Sequence, residues 1–68
     1  MKEKLDSSVL QDMEYELLTE TLILTFKTGK RYAYEGVPAE VVHSLMTAPS
    51  SGQVFNREIR NNYRATEL

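Results

Sequence analysis

The chain has no cysteine among its 68 residues, and that absence removes two classes of small protein at once. No disulfide framework can staple it, and no thiolate can hold a metal. Its one histidine, His43, has no second ligand beside it in sequence, so neither a metal site nor a cofactor is expected. Pairing His43 with Ser44 or Ser50 as a catalytic couple would need an orienting acid and an oxyanion site, and nothing in the sequence signals either. Phosphate-binding loops, dinucleotide fingerprints and metal-binding boxes are all missing. No apolar run approaches the roughly 18 residues that a membrane span needs. The opening MKEKLDSSVL does not resemble a signal peptide. The expectation is a soluble, cytoplasmic, non-enzymatic domain with no membrane partner.

What is present is ordinary for a soluble domain: 41% of residues are hydrophobic and 26% charged, enough for one core and a wet surface. A chain this short buries only about 60% of the surface its unfolded form exposes. Its stability is therefore a few kcal/mol with little slack. Residues 1–68 are expected to form one domain, ordered from about 8 to 64, with loose ends. The net charge of -2 is unevenly spread. Six acids against Lys2 and Lys4 make residues 1–20 acidic. Six cations against Glu35, Glu40, Glu58 and Glu67 make the remainder basic. Such a split can mark a binding face, although in a small domain it also describes a mixed soluble surface.

The hydrophobic pattern has period two from about Val9 to Leu18, where Met13, Tyr15 and Leu17 alternate with Asp12, Glu14 and Glu16. Leu22, Leu24 and Phe26 alternate with Ile23 and Thr25 in a second strand, and a third runs from about Lys30 to Glu35. Between them, Gly29 marks a hairpin turn. A two-residue loop would place Tyr32 and Tyr34 on the face opposite Leu22, Leu24 and Phe26. A three-residue loop closed by Gly29 in the left-handed region pairs Phe26 with Lys30, Leu24 with Tyr32 and Leu22 with Tyr34. The second register gathers the large apolar groups on one face and is the one expected. A four-residue connection, Leu18 to Thr21, would set Leu17 opposite Leu22, Tyr15 opposite Leu24 and Met13 opposite Phe26.

After Gly36-Val37-Pro38 the period changes. Val41, Val42, Leu45 and Met46 form one helical stripe, which Ala48-Pro49 stops. Ser50 with Gln53 is a capping-box pattern for a second helix, although Ser51 could serve instead. Phe55, Ile59 and Tyr63 recur at i, i+4 and i+8, with Arg57, Arg60, Asn61 and Arg64 on the other side. The expected fold is α+β: a three-stranded antiparallel meander with two helices on one face, in the order β-β-β-α-α.

With these elements in place, the chain resembles the KTSC domain family. The matching pieces are Tyr15 followed by an acid, Leu22 to Phe26, Gly29, Tyr32-Ala33-Tyr34, Val37-Pro38, Ala48 to Gly52, Phe55-Asn56, Ile59-Arg60 and Tyr63. His43 and Val54 stand where the family more often has aromatics. The resemblance implies a short bacterial module, found alone and at the C-terminus of some lysyl-tRNA synthetases. Its function is not established, and the synthetase association suggests RNA.

Tyr32 and Tyr34 suggest base stacking on an exposed strand. The hairpin register instead turns both inward, and they are expected to belong to the core with Phe55, Ile59 and Tyr63. The cations are the better candidates for a partner. Lys27, Lys30 and Arg31 cluster at the hairpin tip, and Arg57, Arg60 and Arg64 make a basic stripe on the second helix. Flexible cations of this kind neutralise phosphate. A solvated helix face, with arginines paired to Glu58 or Glu67, is the plainer account of the same residues. Two functions follow. One is an RNA- or tRNA-binding module. The other is a protein-interaction or homodimerisation module using an edge strand or the Ile23, Thr25, Ala33 face. A continuous positive patch joining the hairpin tip to the second helix would favour the first.

Overall fold

A computed structural model describes all residues, 1–68, as a five-stranded antiparallel sheet in which spatial order follows chain order. The strands are β1 (Lys2–Lys4), β2 (Leu10–Glu16), β3 (Thr21–Phe26), β4 (Arg31–Tyr34) and β5 (Ala65–Glu67). Two helical segments, α1 (Ala39–Thr47) and α2 (beginning at Ser51–Val54), connect β4 to β5. The α+β class and the central meander are as the sequence implies, but there are five strands rather than three. Both ends expected to be loose are edge strands, with β1 on β2 and β5 on β4. Every side chain in them is exposed, so they carry no apolar alternation. Their backbone pairing still satisfies the open edges of β2 and β4, and Leu5, just after β1, enters the core.

The hairpin between β3 and β4 has the register that gathers the apolar groups. Leu24 faces Tyr32, Leu22 faces Tyr34, and the Phe26 amide donates to the Lys30 carbonyl at 2.9 Å. The loop is Lys27-Thr28-Gly29. The Gly29 amide returns to the Phe26 carbonyl at 2.8 Å, and Gly29 has φ +94°, a conformation side chains resist.

The β2–β3 register differs from expectation by two residues. Tyr15 faces Leu22 and Met13 faces Leu24. Glu16 pairs with Thr21, so the connection is Leu17 to Glu20, and Leu17 is 63% exposed instead of facing Leu22. Glu20 sits at φ 53° and its amide reaches the Leu17 carbonyl at 3.3 Å. A slip of two preserves the faces, which is why Met13 and Tyr15 remain inward. Between Leu10 and Asp12 a bulge adds one residue to β2. It turns Leu10 inward to complete the core beside Met13.

Thirteen apolar residues form one buried cluster, including Leu10, Met13, Leu22, Leu24, Val42, Leu45 and Ile59. The opposite sheet face carries Glu14, Ile23, Thr25, Arg31 and Ala33, and no helix covers it. In α1, Val42 and Leu45 are buried, with Val41 and Met46 packed at the margin. The loop before α1 is riveted at Val37. Its amide donates to the Glu20 carbonyl at 2.9 Å, and its carbonyl accepts from the Tyr15 hydroxyl at 2.6 Å. Ser50 caps α2, its Oγ accepting from the Gln53 amide at 3.2 Å.

Two outcomes test this account. Gly29→Ala should cost at least ~1 kcal/mol because φ stays positive, measured by urea unfolding. Removing Ala65–Leu68 should lower the melting temperature by exposing the β4 edge; an unchanged temperature would show that β5 adds no stability.

Candidate functional site

The inner sheet face is wider than the helices cover, and the uncovered part is aromatic. Phe26 at the end of β3, Tyr32 and Tyr34 on β4 and Phe55 on α2 line a cleft of about 380 Å³. Their rings make a closed circuit. Phe26 meets Tyr32 edge-on at 5.8 Å and Phe55 at 5.3 Å. Tyr34 meets Phe55 at 5.9 Å, and Tyr32 and Tyr34 lie tilted at 6.4 Å. Such edge-to-face pairs add to the core beyond their buried area. Tyr34 and Phe55 are buried, whereas Phe26 and Tyr32 are half-buried. These rings therefore belong to the core and to the cleft wall together.

The rim is polar and basic. Lys30 and Thr28 come from the hairpin tip, and Asn56 and Arg60 from α2, with Val9 completing the lining. No acid lines the cleft. Arg60 reaches it through an irregularity in α2: from Phe55 to Ile59 the helix is a π-helix, and the Arg60 amide bonds to the Phe55 carbonyl at 2.9 Å. In an α-helix a residue five positions on lies about 140° around the axis. The i to i+5 bond instead stands Arg60 over Phe55. Segments of this kind are rare and recur at functional sites.

The predicted cations are therefore divided. Lys30 and Arg60 meet at the cleft, and neither has a carboxylate partner. Lys27 is exposed at the tip. Arg31 lies on the opposite sheet face, bonded to Thr25 Oγ1 at 3.3 Å and 3.7 Å from Glu14. Arg57 pairs with Glu58 at 2.8 Å. Arg64 is not on the helix, which ends before it; its carbonyl accepts from the Glu35 amide at 3.0 Å, leading into β5. The three-arginine stripe expected on α2 is thus broken, because the π-helix ends at Ile59 and a turn follows. Of the expected core set, Tyr34, Phe55 and Ile59 are buried, and Tyr32 and Tyr63 pack at its edge. Asn56 was marked only as part of the family resemblance and Thr28 and Val9 were not candidates for a site, and only a three-dimensional view places them together. A second cleft of about 350 Å³, between Lys4–Asp6 and the α1–α2 junction, contains none of the predicted residues.

Burial raises the ionisation of Tyr15 and Tyr34 above the ordinary tyrosine value. Glu20 adds to the rise at Tyr15. At Tyr34, Tyr32 adds to it and the Arg60 guanidinium opposes it. Tyr15 donates to Val37 and Tyr32 reaches Glu67 Oε1 at 3.5 Å, whereas the Tyr34 hydroxyl makes no bond within the chain and its oxygen stays open to solvent. Tyr34 is nonetheless only 4% exposed and lines the cleft.

A model of the KTSC domain family matches residues 6–63, and the chain belongs to that family. A lysine–tRNA ligase of Nostoc punctiforme is 38% identical over 65 residues, which are 96% of this chain and 12% of the ligase. The chain thus spans a small fraction of the length of the curated ligases it matches. A protein of Stutzerimonas stutzeri is 39% identical over 61 residues, covering 88% of this chain and 86% of its own length. The crystal structure of a KTSC domain protein from Yersinia pestis matches with a TM-score of 0.92 at 25% identity, covering 100% of this chain and 96% of the other.

A spectrophotometric titration should show two of the four tyrosines ionising later than the others, and Arg60→Ala should raise Tyr34 further. The unfolded chain releases these two protons near pH 10 while the folded chain retains them. The unfolded state then binds fewer protons, so stability is full below that pH and falls as pH rises through it. Four coincident tyrosine ionisations would contradict the burial of Tyr15 and Tyr34.

Proposed function

We propose that this domain is a non-enzymatic RNA-binding module, working in the cytoplasm, whose interface is the aromatic cleft and the cations around it. The observation that carries the proposal is the pair Lys30 and Arg60, free of carboxylates, on the rim of a cleft lined by four aromatic rings. Cations contribute the salt-dependent part of nucleic-acid affinity, and aromatics contribute sequence-tolerant contact. Lys27 and Arg64 are exposed and add positive charge outside the cleft lining. Arg57 can exchange its exposed partner for phosphate, since surface ion pairs are worth little. Arg31 points from the other face and contributes through the overall field. The relatives named lysine–tRNA ligase make tRNA the first RNA to try. A net charge of -2 implies modest affinity.

The competing function, protein or homodimer contact by strand addition, would use β1 or β5, the sheet edges. Both are three residues long, and β1 presents Lys2 and Lys4, features that blunt edge pairing.

Anisotropy titrations with tRNA at about 50 mM and about 200 mM salt test the proposal. Lys30→Glu with Arg60→Glu should weaken binding at least about 10-fold and flatten the salt dependence, whereas Arg31→Glu should change affinity by about twofold or less. No tRNA binding at about 50 mM salt, together with nuclease-resistant capture of a protein partner, would replace this function with the competing one.

A further inference from the structure

We propose that the cleft admits a single unstacked nucleobase, so that the domain reads single-stranded rather than duplex RNA. This rests on the RNA-binding proposal and narrows it. Three features of the cleft select such an occupant. The first is size, because about 380 Å³ lies at the small end of the range for ligand pockets. A base fits a space of that order, and a helix of either kind does not. The second is charge. Clusters of aromatic rings also hold quaternary or methylated ammonium groups, but those sites do not place cations on the rim. Here the rim bears Lys30 and Arg60 and no acid. The occupant is therefore flat and attached to an anion, as a base is to its phosphate.

The third feature is the Tyr34 hydroxyl. It belongs to a side chain only 4% exposed, lines the cleft, and has no partner in the chain. Its oxygen is not buried but opens to solvent at the cleft, where a base edge can take the place of water. Asn56 beside it offers both donors and an acceptor. The division of labour follows from position. Phe26 and Tyr32, half-buried, give the base a surface to lie against, Tyr34 and Asn56 meet its polar edge, and Lys30 and Arg60 take the flanking phosphate. Duplex RNA keeps its bases stacked inside and offers this cleft only its backbone.

The test uses a fluorescein-labelled single-stranded RNA of mixed sequence and the same strand annealed to its complement, each titrated by anisotropy at about 50 mM salt. The single strand should bind at least about 10-fold tighter than the duplex. Phe26→Leu should abolish that preference while leaving the residual salt-dependent binding. Tyr34→Phe, which removes one oxygen and spares the packing, should weaken single-strand binding severalfold with an unchanged melting temperature. It keeps the test decisive if Phe26→Leu unfolds. Equal affinity for strand and duplex, or a preference untouched by both substitutions, would overturn the base-binding proposal while RNA binding stands. Failure of both RNAs to bind would overturn the two together.

Discussion

The constraint on which the rest of the domain depends is the turn at Gly29. Its φ of +94° closes a three-residue loop, and that loop length decides which residues of β3 and β4 share a face. A Cβ at this position would meet nothing within 4 Å, so glycine is required by backbone conformation and not by crowding. One residue more or fewer in the loop would turn Tyr32 and Tyr34 away from Leu24 and Leu22. The core and the aromatic cleft would be lost in the same step, because they share those rings. Fold and site are linked at this turn.

That sharing also explains how a domain of 68 residues keeps an open cleft next to its core. A small domain cannot reserve apolar side chains for binding alone. Phe26 and Tyr32 pack edge-on with each other and remain half-exposed, so each contributes to stability on one side and to the cleft on the other. Tyr15 shows the contrasting arrangement. Its hydroxyl is sealed against the Val37 carbonyl at 2.6 Å, fastening β2 to the loop that leads into α1. Tyr34 has the same chemistry with no internal partner. Its oxygen opens to the cleft instead, which leaves it available to an occupant.

Most of the central architecture was legible in the sequence, because it rests on periodicity and turn chemistry. The β3–β4 register, the Ser50 cap and the α1 stripe all follow from residue spacing. The β2–β3 register did not, since a slip of two residues leaves Met13 and Tyr15 inward and shows only in Leu17, which moves out into the connection. Nor did β1 and β5, whose exposed polar side chains carry no pattern and whose contribution is backbone pairing. The candidate site was legible only in part. Its aromatics were marked as core; Tyr34 and Phe55 are buried, and Phe26 and Tyr32 stand half-buried at the cleft. Their second role depends on how far the helices extend across the sheet, and alternation along a strand does not encode that. Arg60 was assigned to a stripe with Arg57 and Arg64 by assuming 3.6 residues per turn, an assumption the chain breaks at Phe55.

The π-helical segment has a further consequence, for comparisons among related chains. It places Arg60 by counting backbone units, through a bond from residue 60 to residue 55, and not through the identity of any side chain between them. A relative of equal length could wind this segment as an ordinary α-helix, with bonds from i to i+4. Its arginine would then swing about 140° off the cleft, although every residue type needed there would still be present. Aligned by identity, such a chain would score as intact. Its cleft would lack half of its charge, and the alignment would carry no trace of the loss.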